Sequence, residues 1–125
     1  MRHVPELPIV CIIDDDASVR VAVERIARSM DLAAYTFESC RNFLDSAQLV
    51  NTSCIIADVQ MPGMSGLELQ RTLKTRGMNI PLIFITAYPD DKLRRQALDE
   101  GAVCFLNKPF QGTAIIECIE RALKR

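Results

Sequence analysis

The sequence predicts an α/β fold in which a doubly wound parallel sheet is covered by helices on both faces. Three observations lead to this prediction. Short apolar runs alternate five times with longer segments of helical periodicity, the apolar runs are nearly continuous, and the connections between segments are short. Alternating strands and helices of this kind form right-handed βαβ crossovers in an open sheet. We therefore predict five βα units and a single domain over residues 1–125, with its core at about 8–124.

Each predicted strand is a short apolar run of four or five residues. Because most of these runs contain hardly any polar residue, we expect the strands to be buried on both faces of the sheet. In chain order the predicted strands cover residues 9–13, 33–37, 54–57, 82–86 and 103–106.

The predicted helices carry apolar residues three or four positions apart, the spacing that lines one face of a helix. A shorter helix is predicted over 39–48, with Ser39 as its N-cap and with Phe43 and Leu44 on its inward face. The other four helices are clearer, and their apolar positions are Val19, Val23, Ile26 and Met30; Leu67, Leu69 and Leu73; Leu93, Ala97 and Leu98; and Ile115, Ile116, Ile119 and Leu123.

Composition and charge exclude several classes of function. Lys and Arg number 15 against 16 Asp and Glu, so the chain lacks a basic footprint and we expect no direct nucleic-acid binding. No apolar run approaches the roughly 18 residues of a membrane span, so we expect a cytoplasmic protein without membrane contact. In the absence of CxxC spacing, a zinc site or disulfide framework is not expected, and the cysteines should be free and buried: Cys11, Cys40, Cys54, Cys104 and Cys118.

Acidic residues follow the first and third predicted strands. Asp14, Asp15 and Asp16 leave the first strand together, and Asp58 follows the third. Asp16 could cap the next helix, and Asp58 alone could be a turn residue. Three adjacent carboxylates repel one another, however, and favour a cation. Because ligands of open α/β sheets bind outside the carboxyl ends of the strands, the sequence predicts one carboxylate-rich crevice suited to Mg²⁺.

A hydroxyl group and an amine follow the last two predicted strands. Thr86 ends the fourth strand and is followed by the small Ala87, whereas Lys108 follows the fifth strand and precedes Pro109. Each residue alone has a structural explanation, since threonine favours strands and lysine favours solvent. Together they would place a hydrogen-bond donor and a positive charge at the rim of the acidic crevice, which suits a phosphoryl group.

Taken in order, these motifs resemble the receiver family of two-component response regulators. Paired aspartates follow the first strand, DVQMPGMSG begins at the end of the third, Thr-Ala ends the fourth, and KPF follows the fifth. The resemblance covers about 8–123. The segments SCRNFL, MSGLELQ and GAVCFLNKPF are similar to receivers that precede LuxR-type helix-turn-helix output domains in FixJ-like regulators. The resemblance implies a (βα)5 fold with the flavodoxin-like strand order 2-1-3-4-5. Because the chain ends just after the last predicted helix, we expect no output domain within it.

The resemblance implies a role for each acidic residue. Asp58 would be the phosphoacceptor, a nucleophile that takes a phosphoryl group from the phosphohistidine of a sensor histidine kinase and forms an acyl phosphate. Asp15 would bind Mg²⁺ directly, Asp14 would assist through a bound water or by contacting a ligand of the metal, and Gln60 would contribute its backbone carbonyl. Asp58 would complete this metal site, and Mn²⁺ could substitute for Mg²⁺.

The resemblance also implies how the domain responds. Thr86 would hydrogen-bond a phosphoryl oxygen, Ala87 would leave access to the site, and Lys108 would pair with the phosphate. The bond before Pro109 would be cis. Movement of Thr86 would let Phe105 turn inward and would change the surface formed by helix four, strand five and helix five. This surface change would control homodimerisation, an output domain or a downstream protein in transcription. The alternative for Phe105 is a plain core residue.

Other classes of function have weaker support. A receiver-like module that binds partners constitutively would tolerate Asp58→Asn, but would not need the intact acidic set. A haloacid-dehalogenase hydrolase generally shows DxDx[TV], whereas Asp58 is followed by VQMP. A flavodoxin-like cofactor binder needs a phosphate-cradling loop after strand one, where this chain carries negative charge. We therefore predict a regulatory phosphoacceptor rather than an ordinary enzyme, one that promotes its own Mg²⁺-dependent phosphorylation and dephosphorylation.

Overall fold

The computed structural model describes residues 7–124, which form one parallel sheet with five α-helices around it. The strand order is β2-β1-β3-β4-β5, which confirms the predicted doubly wound topology. The strands are β1 Ile9–Ile13, β2 Ala33–Phe37, β3 Cys54–Asp58, β4 Leu82–Thr86 and β5 Cys104–Asn107. The helices are α1 Ala17–Ser29, α2 Cys40–Leu44, α3 Gly66–Thr75, α4 Asp91–Asp99 and α5 Gly112–Leu123. None of these helices is long and apolar enough to span a bilayer.

Side chains alternate between two cores, one on each face of the sheet. Helices α2, α3 and α4 cover one core, and helices α1 and α5 cover the other. The central strands β3 and β4 are buried at every position, as the continuous apolar runs predict. Strand β2 is an exception because it lies at the edge of the sheet, where Tyr35 is exposed. The central strands therefore form the buried centre of the molecule, and the loops at their carboxyl ends leave from it.

Side-chain caps begin four of the helices. Asp16 caps α1, Ser39 caps α2 and Asp90 caps α4, each by accepting a hydrogen bond from a backbone amide two or three residues later. At α3, Ser65 and Glu68 form a reciprocal capping box, in which each side chain accepts from the other residue's amide. The predicted caps at Asp16 and Ser39 are thus confirmed. Such caps satisfy amide groups that the first turn of a helix leaves unpaired.

The predicted bounds of three elements are wrong by one to four residues. Strand β3 ends at Asp58, one residue later than predicted. Helix α2 ends at Leu44 rather than at residue 48, because both the amide and the hydroxyl of Ser46 bond to the Phe43 carbonyl and close the last turn. A separate 3₁₀ turn, Leu49–Asn51, follows. Strand β5 begins and ends one residue later than predicted, because its pairing with β4 runs from Cys104 opposite Ile83 to Asn107 opposite Thr86.

The cysteines differ from the sequence expectation at one pair. Cys104 on β5 and Cys118 on α5 form a disulfide, whereas Cys11, Cys40 and Cys54 are free and buried as expected. Fourteen residues separate the paired cysteines, which lie on a strand and on the helix that follows it. No local spacing signal marks such a pair, because it forms only when α5 folds back along the sheet.

Asp31 offers a stability test at the end of α1. Its φ is 61°, in the left-handed region, and its side chain is exposed. We expect Asp31→Gly to stabilise the fold by about 0.5 kcal/mol, because relief of the left-handed strain slightly exceeds glycine's extra freedom in the unfolded chain. Urea denaturation should show a higher midpoint with an unchanged slope. Asp31→Asn should be nearly neutral, since asparagine tolerates this conformation; a glycine variant no more stable than the wild type would contradict the strain argument.

Candidate functional site

The predicted acidic residues meet at the carboxyl ends of two adjacent strands. Asp14 and Asp15 directly follow β1, and Asp58 is the last residue of β3. From β1 the chain turns outward to β2 and then crosses back to β3, so the crevice between β1 and β3 is the topological switch point of the sheet. One carboxylate oxygen from each aspartate lies within 4.8 Å of the others. The structure therefore brings together three acids that the sequence separates by up to 44 positions.

Backbone amides orient the two buried carboxylates. Asp14 is fully buried, and its Oδ1 accepts a hydrogen bond of 2.9 Å from the Asp16 amide. Asp58 is 6% exposed, and its Oδ1 accepts one of 2.8 Å from the Gln60 amide. Asp15 is exposed. Two carboxylates are thus held in fixed orientations while the third borders solvent.

Lys108 provides the positive charge of the site. Its Nζ lies 2.9 Å from Asp14 Oδ2 and 2.9 Å from Asp58 Oδ2. Its amide donates a 2.7 Å hydrogen bond to the Thr86 carbonyl, which holds the loop after β5 against the end of β4. The bond between Lys108 and Pro109 is cis, as expected. The amine therefore bridges the carboxylates that follow β1 and end β3.

Burial and charge change the proton affinities of these groups. Burial raises the pKa of Asp14; the Asp58 charge adds to this rise, and the hydrogen bond from the Asp16 amide and the contact with the positively charged Lys108 offset only part of it. For Lys108, burial alone would lower the pKa, but the contacts with Asp14 and Asp58 outweigh it and the pKa is raised. Lys108 therefore stays charged. Its positive charge does not fully offset the burial of Asp14 and the repulsion from Asp58, so the ionised form of Asp14 remains disfavoured.

These residues fit a hard divalent cation. Among residues 7–124, the buried Asp14 Oδ2 has no hydrogen-bond donor, since its contact with Lys108 lacks hydrogen-bond geometry. Three carboxylates face a single ammonium group, so negative charge remains uncompensated at this site. Oxygen donors with solvent on one side suit Mg²⁺ or Mn²⁺. For Gln60 only the amide contact with Asp58 is defined, and metal binding by its carbonyl stays a prediction.

Thr86 and Ala87 lie where the sequence predicts, at the end of β4. Because Asp58 pairs with Ile85 on the neighbouring strand, Thr86 lies one residue beyond the level of Asp58. Thr86 is fully buried, and its hydroxyl donates to the Tyr88 carbonyl and accepts from the Tyr88 amide at 3.2 and 3.1 Å. Ala87 is exposed. The hydroxyl would have to leave the Tyr88 carbonyl to donate to a ligand.

Phe105 already points into the protein. It is 7% exposed and packs edge-on against Phe84, with ring centroids 6.4 Å apart and an interplanar angle of 65°. This packing is what the core alternative expects, and a switching role for Phe105 stays a prediction.

Two further residues shape the site and were not singled out from the sequence. The Arg20 guanidinium donates a 2.6 Å hydrogen bond to the Asp14 carbonyl, which holds the loop after β1. Gly66, the first residue of α3, packs so tightly that a Cβ would lie 2.9 Å from both the Asp58 carbonyl and the Val59 Cα. Gly66 belongs to the MPGMSG segment, so its place in that motif was the available signal. The contact of Arg20 had no signal, because it depends on the path of the loop.

The sheet order and the crevice define a class of α/β domain that carries two buried aspartates, an exposed aspartate and a lysine at the carboxyl edge of the sheet. Comparisons with known proteins agree. The family model for the response regulator receiver domain matches residues 10–120. The transcriptional regulatory protein TdiR of Thauera aromatica is 39% identical over 114 residues, which cover 91% of this chain and 50% of TdiR. The transcriptional regulatory protein FixJ of Azorhizobium caulinodans is 40% identical over 121 residues, which cover 97% and 57%.

Solved structures give the same result. The crystal structure of FixJ-N superimposes with a TM-score of 0.84 at 38% identity and covers 94% of each chain. The chain belongs to the response regulator receiver family and is a phosphoacceptor domain of two-component signalling. It spans about half the length of the curated relatives it matches. Receiver domains bind Mg²⁺ at an acidic pocket, in agreement with the donor set found here.

Proposed function

We propose that Asp58 of this domain accepts a phosphoryl group from the phosphohistidine of a sensor histidine kinase. The observation that carries the proposal is the placement of Asp58. Its Oδ1 is held by the Gln60 amide, its Oδ2 lies 2.9 Å from Lys108 Nζ, and a carboxylate oxygen lies within 4.8 Å of those of Asp14 and Asp15. A nucleophile, a positive charge and a set of metal ligands thus meet at one point.

In the transfer, a carboxylate oxygen of Asp58 forms a bond to phosphorus as the bond from phosphorus to the histidine nitrogen breaks. A carboxylate nucleophile has no proton to lose, so the step requires no general base. When bound, the divalent cation offsets the charge on the phosphoryl oxygens. Asp14 and Asp15, together with Asp58 and the Gln60 carbonyl, would hold that cation.

The remaining residues would act on the phosphoryl group once it is on Asp58. Lys108 already contacts Asp58 Oδ2, so its amine needs to move little to pair with a phosphoryl oxygen. The Thr86 hydroxyl would exchange the Tyr88 carbonyl for a second phosphoryl oxygen. Ala87 is small and exposed, which leaves the approach to the acceptor open. Each of these changes links the phosphoryl group to the ends of β4 and β5.

We propose that these displacements alter the surface formed by α4, β5 and α5 and so promote homodimerisation. The curated relatives named here are called transcriptional regulatory proteins, and this chain matches about half of each. By analogy, the domain would control an output domain in transcription. Sedimentation analysis of the protein before and after phosphorylation tests the dimerisation step directly.

The phosphoryl transfer itself is tested by intact-mass spectrometry. The wild-type protein, incubated with acetyl phosphate and MgCl₂, should gain the mass of one phosphoryl group, and a parallel sample with EDTA should not. If neither acetyl phosphate nor a panel of phosphorylated histidine kinases modifies the protein, the proposal fails. Modification that is equally fast in EDTA would contradict the metal requirement alone.

Two neighbouring aspartates allow a matched test of the metal site. Asp15→Asn should weaken Mg²⁺ binding by about tenfold or more, because it removes an anionic ligand from the crevice. Asp16→Asn changes the charge equally one position away, but Asp16 caps α1 and asparagine is also a good cap. It should therefore leave the affinity nearly unchanged. Titration calorimetry with MgCl₂ measures both, and an equal loss in the two variants would show a general charge effect rather than a ligand role for Asp15.

A further inference from the structure

The Cys104–Cys118 disulfide lies apart from the phosphorylation crevice and has no part in the transfer. It joins β5, an edge strand of the sheet, to α5, and the two Cα atoms are 6.1 Å apart. Helix α5 makes its main packing contacts with α1, β3 and β4 rather than with β5. The disulfide is thus a covalent link between two elements that share one core, in which Cys104 and Cys118 both lie among the buried residues.

Cys104 and Cys118 are themselves buried, at 6% and 4% exposure, and what sets Cys104 apart from the free cysteines is a nearby positive charge. The exposed Arg121 places its Nη1 3.5 Å from Cys104 Sγ, and a guanidinium beside a sulfur stabilises the thiolate, the reactive form. Burial raises the pKa of Cys40 and of Cys54 to about 12, and it also raises the pKa of Cys11, so these three free thiols stay protonated. Cys104 has both a paired cysteine and a guanidinium at 3.5 Å, so oxidation should be selective for the pair on β5 and α5.

We propose that Cys104 and Cys118 form a reversible redox site, oxidised by a hydroperoxide and reduced by a dithiol, that fixes α5 to β5 and restrains the signalling surface. The second part rests on the proposed function, in which phosphorylation alters the surface of α4, β5 and α5. Cys104 directly precedes Phe105 and lies four residues before Lys108. A crosslink at Cys104 therefore restrains β5, the strand that leads to Lys108, the residue proposed to pair with the phosphoryl group.

The oxidation proceeds in two balanced steps. The Cys104 thiolate attacks one oxygen of hydrogen peroxide; the O–O bond breaks, a sulfenic acid forms, and the hydroxide released takes up a proton to become water. Cys118 then attacks the Cys104 sulfur; the S–O bond breaks, the S–S bond forms, and the second hydroxide leaves as water with the Cys118 proton. Two thiols are oxidised and one peroxide is reduced. A dithiol reverses the change by disulfide exchange.

Differential alkylation followed by peptide mapping tests the redox site without any phosphorylation. After reduction, all five cysteines should be alkylated in the unfolded protein; after hydrogen peroxide, only Cys11, Cys40 and Cys54 should be. Arg121→Gln should slow the oxidation several-fold and Arg121→Lys should restore most of the rate, whereas Arg94→Gln, an exposed change on α4, should not alter it. If Cys104 and Cys118 are still alkylated after peroxide, or are oxidised no faster than the three free cysteines, the proposal is overturned.

Hydrogen exchange tests the restraint on the surface. On addition of acetyl phosphate and MgCl₂, the rates of amide hydrogen exchange across β5 and α5 should change in the reduced protein. In the oxidised protein this change should be smaller by about fivefold or more, a typical coupling between two sites. Cys118→Ser should behave as the reduced protein under both conditions. Equal changes in the oxidised and reduced wild type would overturn the restraint. If the reduced protein is phosphorylated but its amide exchange rates do not change, the proposed surface change is wrong, and so is the restraint that depends on it. The alkylation experiment still decides whether Cys104 and Cys118 form a redox site.

Discussion

Replacement of Asp58 by asparagine should abolish phosphoryl incorporation from acetyl phosphate. The side-chain amide has the same shape but no anionic oxygen to attack phosphorus, so the loss should be complete rather than partial. The fold should survive, because the asparagine oxygen can still accept the hydrogen bond from the Gln60 amide. Removal of one negative charge also relieves repulsion of Asp14, whose pKa the Asp58 charge helps to raise. Intact-mass spectrometry measures the loss, and circular dichroism checks the fold.

The matched control is Asp99→Asn, the same chemical change at an exposed position near the end of α4. It should be phosphorylated as fast as the wild type. Phosphoryl incorporation that persists in Asp58→Asn would place the acceptor elsewhere, and peptide mapping would then identify it. Loss of incorporation in both variants would point instead to a general effect of charge.

Substitution of Gly66 by alanine should destabilise the protein by about 3 kcal/mol, at the upper end of what overpacking costs. The new Cβ would lie 2.8 Å from a ring carbon of Phe84 and 2.9 Å from the Asp58 carbonyl and the Val59 Cα. Phe84 is fully buried between sheet and helices, and the other two atoms belong to the backbone, so none of the three can move away easily. The start of α3 must therefore shift, and we expect slower phosphorylation of Asp58 as well as lower stability.

Gly112 provides a matched control, because it also is the first residue of a helix. A Cβ there would meet only the end of Ile26 at 3.8 Å, an ordinary contact. Gly112→Ala should therefore be neutral or stabilising by up to about 1 kcal/mol, the usual advantage of alanine in a helix. Urea denaturation of the two variants separates close packing from helix propensity. Equal stability of the two variants would show that α3 adjusts at little cost.

The elements that could be predicted from the sequence are those with a local signal. The central strands are continuous apolar runs, and the caps at Asp16 and Ser39 precede helical spacing, so their existence and most of their ends follow from neighbouring residues. The end of α2 was predicted too late because Ser46 competes for the Phe43 carbonyl, a hydrogen bond that periodicity does not report.

The candidate site was predictable for a related reason. In a parallel sheet the carboxyl ends of all strands lie at one edge, so acids after β1 and β3 must approach each other once the strand order is known. That argument pointed to four acids, Asp14, Asp15, Asp16 and Asp58. The resemblance to receivers gave site roles to three of them, Asp14, Asp15 and Asp58, and the structure places these three within 4.8 Å of one another. It could not show that Thr86 bonds to the Tyr88 backbone or that Phe105 is already buried, since both depend on packing around the loops.

The sequence by itself determined the order of strands and helices, the two-sided burial of the central strands and the chemical groups at their carboxyl ends, because periodicity, caps and strand exits are local properties. Only the tertiary structure decided which distant groups touch. It placed Lys108 between two carboxylates, left Gly66 no room for a side chain and paired Cys104 with Cys118. Each of these contacts joins segments remote in the chain, and its distance is set by how helices and loops pack against the sheet.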